Sequence, residues 1–90
     1  MLIRKLIWSE SILDKLDWKH HITPEEVYQV ILGRHYAVRG SKGVYYLYGQ
    51  TEQGRYLFVV LADRENGYFK VITARDMTQA DRQLFQRKIK

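Results

Sequence analysis

Apolar side chains recur first at helical spacing and then at strand spacing, and the change falls at Gly33. At the start, residues 2–8 are apolar apart from Arg4 and Lys5, which predicts a short first strand. Ser9 is an N-cap type, and behind it Ile12, Leu13 and Leu16 share one helical face. A second helix opens at Thr23, with Pro24 as its first helical residue and Glu26 closing a capping box. Ile22 and Val27 flank that cap as a hydrophobic staple, and the helix runs through Val30 and Ile31 to Gly33, a natural helix stop.

Beyond Gly33 the spacing predicts a strand over residues 34–39, a turn at Gly40, Ser41, Lys42 and Gly43, and a strand over 44–50. Gly54 marks the next turn. Residues 56–63 are apolar on both faces and so predict a central strand. Asn66-Gly67 is a hairpin signal, with a returning strand over 68–74. Thr78 and Asp81 open a last helix that carries Leu84, Phe85 and Ile89 inward. The expected architecture is α+β, with two N-terminal helices, an antiparallel meander and a C-terminal helix. No linker or repeat divides it, so residues 1–90 are read as one domain.

Composition narrows the class. The 90 residues include seven Tyr and two Trp, large side chains that help a small chain build a core. There is no cysteine, which excludes disulfides and thiolate metal sites and fits a reducing compartment. The longest apolar run, residues 57–62, is too short to span a bilayer, and no signal peptide is apparent, so the expected location is the cytoplasm. The net charge of +5 permits an anionic partner such as nucleic acid, although the basic residues are scattered.

Several segments, in order, match a known pattern. Ile7-Trp8 precedes a helix; Lys19-His20 leads into Ile22, Thr23, Glu25 and Glu26. Gly49, Thr51, Gly54-Arg55, Leu57 and Val59-Val60 follow, then Val71-Ile72-Thr73-Ala74-Arg75 and a charged last helix. In these segments the chain resembles the BrnT toxins of the RelE-like superfamily over most of its length. His21 stands where that family has Gly, Asp63-Arg64 keeps part of a Thr-Glu-Arg pattern, Lys70 stands where Arg is common, Ala80-Asp81 softens a basic helix start, and Phe85 falls near an expected Tyr. The resemblance implies a compact RelE-like fold and a metal-independent ribonuclease that inhibits translation without a cofactor. It also implies a cognate antitoxin, usually with a ribbon-helix-helix DNA-binding domain, joined to the toxin in a hetero-oligomer. The alternative on the same fold is a non-catalytic module that binds an antitoxin or inhibits a protein target directly.

Metal-free RNA cleavage needs a base for the 2′-OH, cations for the phosphate and an acid for the leaving oxygen. The sequence has no metal-ligand spacing, no Gly-rich phosphate loop and no Ser-His-Asp set. A two-residue Asn66-Gly67 loop would place Phe58 opposite Arg75, with Arg55 at the same sheet end but of different alternation parity. One of these arginines would then bend to join the other as a bidentate phosphate pair, Arg75 first and Arg55 second. The plain reading of each is a solvated strand-end charge. His20, beside Lys19, is the acid/base candidate, against the plain reading of a His that donates to a carbonyl between helices. His21 and His35 are weaker, with His35 expected on a solvated strand face.

Lys19, Arg64, Lys70 and Arg82 are the further candidate cations for RNA. Asp63 and Lys70 are expected to face each other as a cross-strand ion pair, and Arg64 reads first as a turn-edge charge unless RNA wraps that far. Alternation puts Tyr46 and Tyr48 on one face, where they can stack on bases, and Tyr45 on the other. Trp8 and Trp18 are expected to be packing residues.

Overall fold

The computed structural model of the chain describes residues 2–89. Its strands are β1 (Lys5–Ile7), β2 (His35–Arg39), β3 (Val44–Gln50), β4 (Tyr56–Asp63) and β5 (Tyr68–Asp76). Its helices are α1 (Glu10–Lys15), which widens into a π-helical turn (Leu16–His20), then α2 (Pro24–Leu32) and α3 (Gln79–Lys88). The strands form one sheet in the order β1-β5-β4-β3-β2. The expected meander is present from β2 to β5, and β1 adds a parallel edge against β5.

The three predicted caps form. Ser9 Oγ accepts from the Ile12 N–H at 3.2 Å. Thr23 with Glu26, and Thr78 with Asp81, each close a capping box. α2 ends at Leu32 as expected, but Gly33 is extended and not left-handed (φ −86°, ψ −168°).

β4 is the central strand, and its two-sided apolar pattern follows from that place. Its Leu57, Val59 and Leu61 face α1, the π-turn and α2, where they join Leu16, Ile22, Val27, Val30, Leu47, Phe69, Val71 and Ala74 in one core cluster. Full burial of an aliphatic side chain of this size contributes about 1.5–3 kcal/mol, so this face carries most of the stability. Gly49 admits α2 to the sheet: a Cβ there would lie 2.8 Å from Val30 Cγ1. The opposite face is covered at one end by α3, through Phe85 and the buried Met77.

The β4–β5 hairpin departs from expectation and then returns to it. Asn66 and Gly67 have φ 59° and 83°, as a type I′ turn requires, but Glu65 is also left-handed at φ 70°. The Arg64 N–H bonds the Tyr68 carbonyl at 2.8 Å, so Glu65 is one extra residue on the β4 side. Asp63 therefore pairs with Phe69 and Lys70 with Ala62, and the expected Asp63–Lys70 ion pair does not form. Asp63 instead accepts the Glu65 N–H at 2.7 Å. A bulge between Val60 and Leu61 then takes up Ile72 on the β5 side. The two irregularities cancel, and Phe58 faces Arg75 as the sequence predicts. The bulge also lets Phe69, Val71 and Ala74 all reach the core, which strict alternation forbids.

Two aromatic or histidine placements differ. Trp8 packs on the core and beside Tyr28, but Trp18 is 70% exposed on the π-turn. The turn closes back with the Ile22 N–H on the Leu16 carbonyl at 2.9 Å, and this geometry leaves the Trp18 side chain outside the helix–sheet layer. His35 is half-buried at the rim of the helix-side face, where its Cβ is near Gly49, rather than on a solvated face.

Candidate nucleic-acid interface

The sheet face away from α1 and α2 carries the aromatic side chains of three adjacent strands. Alternation along β2, β3 and β4 puts Tyr36, Tyr46, Tyr48 and Phe58 there, and Tyr45 on the core side against Phe69. The rings form a continuous ladder. Tyr36 and Tyr48 stack at 5.9 Å between centroids, Tyr48 and Phe58 meet at 5.1 Å, and Tyr46 stacks on Phe58 at 5.9 Å, within 12° of parallel. Tyr46 is the exposed ring of the set. It lies across Gly40, where an added Cβ would be 2.7 Å from Tyr46 Cε2.

Arg75 sits on this ladder. Its guanidinium carbon is 4.3 Å from the Phe58 centroid, a cation–π contact made by the cross-strand pairing of the two residues. Its Nη1 donates to the Asp76 carbonyl at 3.0 Å and to Asp81 Oδ2 at 2.8 Å. Among the described residues its Nε and Nη2 meet no protein acceptor, so one edge of the guanidinium is open. Such an edge matches a phosphate bidentately. Burial pushes the Asp81 carboxyl up, but Arg75 and the Thr78 cap outweigh it and hold the group below the usual carboxylate range. Burial, and the nearby Asp81 charge, push the Tyr48 phenol up. At neutral pH Tyr48 is therefore a protonated phenol and a hydrogen-bond donor on the ladder.

Arg55 is placed differently. Its Nε and Nη2 grip Asp76 at 2.8 and 3.1 Å, Nη1 reaches the His21 carbonyl at 2.7 Å and Glu26 at 3.4 Å, and Nη2 reaches the His20 carbonyl at 2.7 Å. All the donors of the guanidinium are engaged on the helix side of the sheet. The expected convergence of Arg55 with Arg75 does not occur: the two groups point to opposite faces, and each has its own carboxylate. Arg55 clasps the end of the π-turn, where His21 is left-handed at φ 53°. This is the position at which the resembling family has Gly, the residue that adopts such a backbone freely.

His20 and Lys19 lie on that same helix-side turn. Burial lowers the His20 pKa, as do Lys19 and Lys15, while Asp76 opposes them. The ring is thus a neutral base at pH 7, but on the helix side of the sheet and not on the aromatic face. Arg82 is exposed on α3 with its guanidinium 4.2 Å from the Tyr56 ring, and it borders a depression with Gly54, Arg55 and Asp76. Lys70 shares the ladder's face nearer the hairpin, and Arg64 is exposed beside the hairpin turn itself. The structure therefore groups Arg75, Tyr46 and Tyr48, sets Lys70 on the same face, places Arg82 with Arg55 at the depression by Asp76, and separates His20, Lys19 and Arg64.

Sequence reasoning did not single out Phe58, Tyr36 or Asp81. The predicted register already put Phe58 against Arg75, and the Thr78–Asp81 capping pair was legible, so the signals were present for two of the three. Among the described residues no three His, Asp or Glu side chains gather as metal ligands.

No protein-family model matches the chain. No curated protein sequence matches it either. A crystal structure of the Brucella abortus ribonuclease toxin BrnT is similar in structure, with a TM-score of 0.69 over 83% of this chain and 97% of that one, at 16% sequence identity. The likeness is one of fold, and on it this chain has a BrnT-type toxin fold.

Proposed function

We propose that this chain is the toxin of a type II toxin-antitoxin pair, an endoribonuclease that inhibits translation by cleaving single-stranded RNA on the aromatic sheet face without a metal. The observation that carries this reading is the open edge of Arg75 beside Phe58. Arg75 binds the scissile phosphate and neutralises the charge that builds on it as the 2′-OH attacks and gives up its proton to solvent water, an effect that in other sites is worth roughly 10²–10³ in rate. Tyr46 stacks on a base, and Tyr48 donates to a phosphate or leaving oxygen. Lys70 and Arg82 flank the path of the backbone, while Arg64 and Lys19 act at longer range. Arg55 keeps the sheet end in shape, and a proton-transfer role for His20 would require RNA to pass around that end.

The fold likeness to a ribonuclease toxin supports this reading. The partner is a cognate antitoxin of the ribbon-helix-helix kind, bound over the ladder or α3, and the complex is cytoplasmic. Induced expression in a bacterium tests the function. Growth arrest with cleaved cellular RNA, both lost in a folded Arg75→Ala variant, is the expected result. Normal growth, intact RNA and soluble folded protein would refute it.

One observation favours a non-catalytic module instead. Among the described residues His20, His21 and His35 all lie on the helix side, so the ladder has no imidazole to take the 2′-OH proton. On that second reading the same face binds the antitoxin or another protein, and capture of the antitoxin by an inactive chain would support it.

A further inference from the structure

Arg75 is held on three sides before any ligand arrives. Phe58 lies under the plane, the Asp76 carbonyl accepts one Nη1 proton and Asp81 Oδ2 accepts from the same nitrogen. The Asp81 oxygen that meets Arg75 also accepts the Thr78 N–H at 2.9 Å, and Thr78 Oγ1 accepts the Asp81 N–H at 3.1 Å. One carboxylate thus closes the α3 capping box and fixes the guanidinium. The side chain of Asp81 is 17% exposed and that of Arg75 is 38% exposed; the Arg75 Nε and Nη2 have no acceptor among the described residues and are not buried.

We propose that Asp81 is a positioning residue for Arg75: through the first turn of α3 it sets the orientation in which the open guanidinium edge meets phosphate. The proposal rests on the reading of Arg75 as the phosphate-binding group. Two effects of Asp81 act in opposite directions. Its negative charge weakens ground-state attraction for a polyanion, which follows total charge. Its hold on Arg75 strengthens the oriented interaction that counts in the transition state, where small misplacement is costly. A residue that only stabilised the fold would not separate the two.

The test uses Asp81→Ala, which removes the charge and the oxygen that holds Arg75, while Thr78 Oγ1 still accepts the backbone N–H of residue 81. Far-UV circular dichroism and thermal melting establish that α3 is retained. Binding is measured with a 2′-O-methylated oligoribonucleotide, which cannot be cleaved, and turnover with the unmodified one. The expected result is binding tighter by roughly threefold, as for loss of a modest ion-pair competitor, with kcat lower by about tenfold or more. A second measurement follows the Arg75 Nε–H and Nη signals by NMR, which are resolved while rotation is restrained and average out in Asp81→Ala. Weaker binding, an unchanged kcat, or Arg75 signals that stay restrained in the variant would each overturn the proposal. If the wild type neither cleaves RNA nor loses affinity on Arg75→Ala, the phosphate reading of Arg75 falls, and the NMR signals alone then decide whether Asp81 positions it.

Discussion

Arg75 and Asp76 are neighbours on β5 whose side chains serve opposite faces of the sheet. Asp76 turns to the helix side and takes a bidentate grip from Arg55, while Arg75 turns to the aromatic side and lies over Phe58. Alternation at a strand end therefore divides two arginines that are close in the fold into different tasks. Arg55 has all its donors engaged within the protein; Arg75 has Nε and Nη2 without an acceptor among the described residues.

Arg55→Ala should destabilise the fold by on the order of 2–3 kcal/mol, because it removes together the hydrogen bonds that tie the His20 and His21 carbonyls and Glu26 to Asp76 at the sheet end. For a chain of this size that corresponds to a fall in Tm of about 10 °C or more. Arg55→Lys should recover little, since an ammonium cannot reproduce the fork. Arg75→Ala should cost about 1 kcal/mol or less, because its contacts are half-exposed. Chemical denaturation of the three variants checks the ranking, and equal losses at Arg55 and Arg75 would contradict the division of tasks.

Most of the fold was legible because its signals are local. Capping boxes at Thr23 and Thr78 need only four consecutive residues, and the two-sided apolar pattern of β4 states its own central position. The parallel pairing of β1 was not legible, since a three-residue strand has no pattern that names a distant partner. Nor was the compensating pair of irregularities at Glu65 and Ile72, since neither residue type marks a bulge and each shifts a register that the other restores. For the site, the placement of Tyr45 and Tyr46 on opposite faces followed from alternation. The fate of Arg55 did not, because its acceptors are backbone carbonyls on a turn that sequence cannot bring to the sheet end.

Tyr45 and Tyr46 give a prediction of different outcomes from adjacent residues. Tyr46→Ala should weaken binding of single-stranded RNA by about 1–3 kcal/mol, the range for loss of a stacked base, and should also lower stability by about 0.5–1.5 kcal/mol through the lost stacking on Phe58. Tyr45→Ala should leave binding almost unchanged but lower stability, since Tyr45 packs edge-on against the buried Phe69. Titration of a fluorescent oligonucleotide and urea denaturation of both variants separate these effects. Equal loss of RNA affinity in the two would mean that RNA does not use the aromatic face.

His20 supplies a pH dependence with a definite sign. Burial first, then Lys19 and Lys15, lower its folded pKa below 6.5, so the unfolded chain takes up this proton at a higher pH than the folded one. Its contribution to stability is complete above pH 6.5 and is lost as the pH falls through the folded value. NMR titration should place the His20 midpoint below 6.5. Lys19→Ala should raise that midpoint by removing repulsion, whereas Asp76→Asn should lower it further by removing the one charge that favours the imidazolium. A wild-type midpoint at or above 6.5 would contradict the assigned environment.

Gly49 tests how tightly α2 is seated on the sheet. A Cβ at this position would meet Val30 Cγ1 at 2.8 Å and His35 Cβ at 3.3 Å. Val30 is completely buried in the core cluster and has no open space to move into, so Gly49→Ala should cost about 1–3 kcal/mol through overpacking. Val30→Ala alone should cost about as much or more by leaving a cavity. The double variant should be more stable than the sum of the two losses predicts, because the new methyl enters the space that the valine vacates. Urea denaturation of the four proteins in this cycle measures the coupling directly. Strict additivity would mean that α2 shifts away from the sheet instead of clashing with it, and that the helix is held more loosely than the contact implies.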